Sequence, residues 1–385
     1  MPDRSCEDRT QACRVCGRPL FATPLLRFEN MPSAAQTFPD AESLANDKGI
    51  DLEVCQCSHC GLVQLSNEPV PYYKDVIRAA AVSPEMKEFR LRQFSGFVQR
   101  FSLQGKKIVE IGCGRGEYLS LMQQCGVEAH GLEHAAESVA DCLRGGLRVS
   151  QGYVQGDDFR ASDAPFDAFY ILNFFEHLPD PNSTLAGIRN ILTEDAVGLV
   201  EVPNFDMILR KNLFSEFVSD HLTYFTAHTL QTTLACNGYD TIDCREEWHE
   251  YLISATVKKR KRLDLSHFAD DRARIKAHLD DYIRRFPAKK VAIWGAGHQA
   301  LTIIAMMQLA DTIRYVVDSA PFKQGKYTPA THLPIVAPET LNSDPVDAVI
   351  VIAASYSDEV VRILRQRFPG IANVSILRNS RLEEA

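Results

Sequence analysis

Four cysteines in two pairs set the first chemical constraint. Cys13-x-x-Cys16-Gly and Cys57-x-x-Cys60-Gly stand about forty residues apart and offer four thiolates from two tight turns. Zinc prefers such a tetrahedral sulfur set, and four protein ligands leave no coordination position for a substrate, so a structural zinc is expected. Cys55 would break the symmetric spacing and His59 stands between two cysteines already assigned, so neither is counted as a ligand. A second constraint lies in "KKIVEIGCGRGEYLSLM", Lys106 to Met122, where a short apolar run is followed by Gly112, Gly114 and Gly116 at alternate positions. Glycines directly after a strand let the chain turn sharply and bring its amides close to a ligand. A dinucleotide site requires Gly-x-Gly-x-x-Gly, and Glu110-Ile-Gly112-Cys113-Gly114-Arg115-Gly116 departs from that pattern. Glu133 ends the next apolar run, in "AHGLEH", about where an acid accepts hydrogen bonds from ribose hydroxyls. A third group, "VAIWGAGHQA", reads Gly295-x-Gly297-x-x-Ala300, with Asp318 closing the following run. In isolation it is an NAD fingerprint, which makes an NAD-dependent oxidoreductase a competing reading.

These groups need elements to hold them. A chain of 385 residues suggests two or three domains of roughly 100 to 200 residues each. The apolar and charged fractions, 45% and 24%, exclude disordered and fibrous classes. A net charge of −8 argues against a broad nucleic-acid surface. No apolar run approaches the ~18 residues of a membrane span, and "MPDRSCEDRT" has no signal-peptide core, so a cytoplasmic chain with no membrane partner is expected. Residues 1–70 hold six of the eleven cysteines and little periodic pattern, which fits a small module stapled by metal. Over 71–257 the strand-like runs "KIVEIG", "VEAHGLE", "FDAFYILNFF" and "AVGLVEVP" alternate with amphipathic stretches, predicting a mainly parallel sheet with helices on both faces. Residues 258–286 read as a charged linker helix, and 287–385 as a second open α/β sheet.

The form Glu-x-Gly-x-Gly-x-Gly at 110–116 resembles the first motif of class I methyltransferases that use S-adenosylmethionine, a ligand without phosphate. More widely, "CRVCG" to "CSHCGLVQL", "EIGCGRG", "EVPNFDMIL" with "DHLTYFT", and "GAGHQALT" with "VVDSAPFKQGKYTPATHLPI" follow one another as in the sugar C-methyltransferases that modify nucleotide-linked keto sugars. The resemblance covers nearly the whole chain. It implies an α/β fold: an N-terminal zinc module, a class I methyltransferase Rossmann-like sheet and a C-terminal Rossmann-like domain that binds the acceptor. The cofactor contacts it implies are Glu110, Gly112, Cys113, Gly114, Gly116 and Glu133, then Asp157 or Asp158 on the adenine amino group, and Asn173, Glu176 and His177 at the end of a later strand. On the acceptor it implies Tyr72, Lys323, Tyr327 and His332. Two departures stand out. Val218-Ser219-Asp220-His221 replaces the family's Tyr-His-Glu-His run, and Tyr72 to Met86 lacks its serine-rich loop.

Carbon is a poor nucleophile until deprotonated, and a neighbouring ketone makes that possible by forming an enolate. The resemblance places His221 as the general base, Asp220 as its orienting acid and Tyr224 as an enolate or acceptor contact; imidazole suits the task because it titrates near neutrality. Transfer to oxygen or nitrogen, and a non-catalytic binder of nucleotide conjugates, stand as alternatives beside the oxidoreductase.

Overall fold

The computed structural model describes residues 11–34, 38–74 and 82–385. It divides into two compact units, Met1–Lys261 and Arg262–Ala385. Residues 75–81, within the stretch where a substrate loop is expected, and the N-terminal decapeptide lie outside the described residues.

The first unit is built on a seven-stranded sheet. Its four central strands are the runs expected from sequence: Lys107–Ile111, Glu128–Glu133, Phe166–Leu172 and Leu192–Pro203. All four pair in parallel, in the spatial order 192–203, 166–172, 107–111, 128–133, with Arg148–Gln151 at the far edge. Parallel strands covered on both faces read as continuous apolar runs, and every residue of Phe166–Leu172 except Asp167 is buried. The strand order reverses beside Lys107–Ile111, so the crevice for a ligand opens at its carboxyl end. An antiparallel pair, Tyr239–Glu247 and Leu252–Lys259, extends the other edge.

The helix Pro84–Arg100 starts with Ser83 accepting from the Met86 amide and with proline in its first turn. It carries Arg90 into the interior, where the guanidinium meets Glu201 on the sheet with both side chains fully buried. Gln93 donates to the other Glu201 oxygen at 3.0 Å. Arg90 and Gln93 between them use both Glu201 oxygens, which offsets part of the cost of burial, while Arg90 Nε is left without a partner.

The cysteine segment does not stand apart. Its strands Leu26–Met31, Ile50–Gln56 and Val63–Leu65 form an antiparallel sheet completed by Thr223–Tyr224, from much later in the chain. Cys13, Val15, Cys57 and Leu62 share one apolar cluster with Val109 and Phe166 of the large sheet.

The second unit has six strands, five of them parallel: Ile335–Val336, Val316–Val317, Val291–Trp294, Ala348–Val351 and Asn373–Arg378, with Arg381–Glu384 returning antiparallel. The helix His267–Ile283, expected as a linker, belongs to this unit. Ile275, Leu279, Tyr282 and Ile283 pack into the core with Val291 and Ile293, because its apolar residues recur at helical spacing and need a face to cover.

Candidate active site and metal centre

At the glycine turn, Gly112, Gly114 and Gly116 have φ of +69°, +56° and +83°, a region that side-chain-bearing residues avoid. A Cβ on Gly112 would meet the Phe174 ring at 2.9 Å, and one on Gly116 would meet Leu147 at 2.3 Å. Glu133 spans the turn and the next helix: Oε2 accepts from the Gly114 amide at 2.8 Å and Oε1 from the Ala135 amide at 2.9 Å. Glu110 is buried behind it and accepts from the Tyr170 hydroxyl at 3.0 Å. A cavity beside the turn is lined by Gly112, Glu133, His134, Tyr153, Phe174 and Lys74. Lys74 Nζ lies 4.9 Å from the Tyr153 ring centre.

Cys113 is buried against Gly131 below the turn. Tyr72, half-buried, sits in the short turn that carries Lys74. Asp157 and Asp158 are exposed and do not line the cavity; Asp157 instead faces Arg189 at 3.6 Å. Asp157 and Asp158 stand in an exposed turn, while Gly152, Tyr153 and Val154 line the cavity. Tyr153 stands two residues beyond the edge strand Arg148–Gln151, the position from which sequence could have nominated it.

A second group gathers around the turn Phe175–His177. Asn173, at φ +52°, ends the strand with its amide on the Glu201 carbonyl at 3.0 Å. The Glu176 carbonyl accepts from the Leu222 amide at 2.9 Å and from the Thr223 hydroxyl at 3.3 Å, which staples the later loop to this turn. His177 Nδ1 lies 2.8 Å from the Asp220 carbonyl oxygen, and the His177 and His221 rings meet edge to face with centres 4.8 Å apart. Burial pushes Glu176 up to about 8, with the Glu201 and Asp220 carboxylates adding to the rise. It lowers His177, against the pull of Asp220, and takes His221 down to about 3 with His177 as a second cause. The His221 ring is therefore an unprotonated acceptor at neutral pH.

Tyr224 is placed differently from its expected role. Its hydroxyl accepts from the Val218 amide at 3.1 Å and donates to the Val218 carbonyl at 3.3 Å. It clasps the Val218–His221 loop, and both its hydrogen-bonding functions are spent there, so it is corrected from an acceptor contact to a positioning residue.

The four cysteine sulfurs lie within 4.8 Å of one another, Cys13 and Cys60 at 3.5 Å and Cys16 and Cys57 at 3.4 Å. Zinc–sulfur bonds of about 2.3 Å put tetrahedral ligands roughly 3.8 Å apart, so the donor set fits. The amides of His59 and Cys60 donate to Cys57 Sγ, and Gly17 and Gly61 take φ of +67° and +77° to close the two knuckles.

In the second unit Asp318 is fully engaged. Its Oδ2 accepts from the Ala296 amide and from Lys323 Nζ, each at 2.8 Å, and its Oδ1 from the Ala320 amide at 2.9 Å. Burial works against it, yet Lys323 and these amides hold the carboxyl below the usual range. Lys323 accordingly pairs with Asp318 through one of its three donors and stays partly exposed. Tyr327 is exposed and borders an open groove of about 350 Å³, whereas His332 is exposed but does not line it.

Comparison with known proteins adds the following. Residues 86–243 match a family model described as a methyltransferase domain, and residues 255–369 match one described as a C-methyltransferase C-terminal domain. The C-methyltransferase NovU of Streptomyces niveus is 24% identical over 383 residues, covering 91% of each chain. A ubiquinone biosynthesis O-methyltransferase of Stutzerimonas stutzeri is 36% identical over 100 residues, 24% of this chain and 43% of that one. Among solved structures, the PH0226 protein of Pyrococcus horikoshii aligns with TM-score 0.39 at 12% identity, over 49% of this chain and 96% of its own. In the described residues no helix is long and apolar enough to cross a membrane. On these matches the chain is an S-adenosylmethionine-dependent methyltransferase, and its residues 255–369 are similar to the C-terminal domain of C-methyltransferases.

Proposed function

We propose that the chain transfers a methyl group to a carbon alpha to a ketone, in a nucleotide-linked sugar or a related activated keto compound. The end-to-end likeness to a C-methyltransferase carries this reading; the matches to O-methyltransferases are confined to a quarter of the chain. S-adenosylmethionine, when bound, supplies an electrophilic methyl group. The bare turn Gly112–Gly116 and Glu133 would hold it, with Tyr153 beside the adenosyl moiety. Zinc on Cys13, Cys16, Cys57 and Cys60 would be structural.

The chain's own chemistry then falls to the loop stapled against Phe175–His177. His221 takes the alpha proton of the acceptor; burial lowers it to about 3, below the near-neutral range expected from the sequence, so the ring is free to accept but is a weaker base than a solvated imidazole. Asp220 is buried beside it with Oδ1 lacking a hydrogen-bond partner, a negative group placed to offset the imidazolium as it forms. Tyr224 keeps that loop in place through Val218. In the second unit, the ion pair of Asp318 with Lys323 occupies the acid that an NAD ribose would require, which supports an acceptor-binding role over a dinucleotide site.

His221→Asn tests the base. Turnover is expected to fall by about 10²–10⁴, with S-adenosylmethionine affinity unchanged by isothermal titration. Undiminished turnover would place the base elsewhere.

A further inference from the structure

Proton abstraction uses one face of His221 and gives Glu176 and His177, expected from the resemblance at the cofactor, no step of their own. Yet one oxygen of Glu176 and one ring nitrogen each of His177 and His221 all lie within 4.8 Å of one another. His177 Nε2 stands 3.8 Å from Glu176 Oε1.

The donors are prepared as ligands. The Asp220 carbonyl can only accept, so it fixes the His177 proton on Nδ1 and leaves Nε2 as a bare lone pair turned towards Glu176. Metal-bound histidines are oriented by this kind of bond from the second nitrogen to a main-chain carbonyl. Independently, Glu176 Oε2 is buried without a hydrogen-bond partner in a residue only 2% exposed. A carboxyl oxygen stranded there is costly, and a cation removes the cost. His221 is the least buried of the three.

Two imidazoles and one carboxylate suit zinc or a similar borderline divalent ion over magnesium or calcium, and three protein ligands leave a fourth position open. Ligand atoms about 2.0–2.2 Å from zinc stand roughly 3.4 Å apart, so rotating the side chains closes the present spacing. We propose that Glu176, His177 and His221 form a second transition-metal site, distinct from the four cysteines, and that an ion there takes the His221 lone pair and halts methyl transfer. The inhibitory half rests on the function proposed above; the binding half does not.

Full-length protein with its cysteine site zinc-loaded is dialysed against graded free Zn²⁺ held by a metal buffer, and zinc per chain is counted. Wild type is expected to rise from about one ion to about two. Glu176→Gln, close in shape to the native side chain, and His177→Ala are expected to keep the first ion and bind the second at least about tenfold more weakly. Retention of the cysteine-bound ion reports that each variant is folded. A wild type that stays at one ion, or a second ion that persists unweakened in both variants, overturns the site. In parallel, wild-type turnover is expected to fall as the second ion fills; turnover unaffected at two ions overturns the inhibition. Because counting zinc requires no acceptor, an error in the proposed reaction leaves the count standing, and His221→Asn separately reports on the base.

Discussion

Gly112 and Gly114 are one turn with two different costs. Both have positive φ, so alanine at either pays about 1–2 kcal/mol in backbone strain. At Gly114 the new methyl finds only Glu117 Oε2, at 3.9 Å, and nothing more is added. At Gly112 it meets three atoms of the Phe174 ring at 2.9–3.2 Å, an overpacking that adds about 1–3 kcal/mol. Gly112→Ala should therefore destabilise the first unit by about 2–5 kcal/mol and Gly114→Ala by about 1–2. The two tryptophans make the measurement separable, since Trp248 lies in the first unit and Trp294 in the second. In a Trp294→Phe background, urea unfolding followed by Trp248 fluorescence reads the first unit alone. The cofactor adds a second axis. If the turn is bare to admit the adenosyl ligand, Gly114→Ala loses at least about tenfold in S-adenosylmethionine affinity, about 1.4 kcal/mol, despite its smaller stability cost. Equal unfolding costs at the two positions would refute the packing argument, and full affinity in Gly114→Ala would refute the role of the turn.

Other perturbations test other joints of the molecule. Arg90→Met or Glu201→Gln alone strands a buried charge and is expected to cost about 3–5 kcal/mol in urea unfolding; the double substitution should cost less than the sum, and additive losses would count against the pair. Tyr224→Phe removes both bonds to Val218 and should destabilise by about 1–3 kcal/mol, with a smaller turnover loss than His221→Asn; matched turnover losses would return the hydroxyl to the chemistry. Cys57→Ser is expected to abolish the zinc held by the cysteines, by metal analysis, and to unfold the first unit, because metal affinity there is folding energy. A folded, metal-bound variant without activity would contradict a structural role.

Much of this was legible in the chain. The four central strands sit where apolar runs were broken by polar and glycine punctuation, and the three glycines of the turn all occupy backbone that only glycine takes easily. What escaped involved contacts made at long sequence distance. Nothing local in "MKEFRLRQF", residues 86–94, distinguishes Arg90 from the exposed Arg92; only Glu201, 111 residues on, makes it an interior residue. Asp157 and Asp158 looked apt because acids after a strand often meet a ligand; they sit exposed in a turn, and Tyr153 and Val154 line the cavity. Lys323 and Asp318, five residues apart, satisfy each other, a pairing that composition cannot separate from two groups awaiting a substrate. The helix His267–Ile283 shows the reverse: its charge suggested a spacer, while its sparse apolar stripe was enough to dock it.

The strand Thr223–Tyr224 completes the small sheet of the cysteine segment, hydrogen-bonding to Val63–Leu65 immediately beyond His221. Order in the cysteine segment is therefore coupled to the Val218–His221 loop through the ladder that Val63–Leu65 shares with the strand after it. On the function proposed above, loosening the four-cysteine knuckles would disturb the loop that carries the base while leaving the glycine turn intact, so the two ends of the reaction can fail separately.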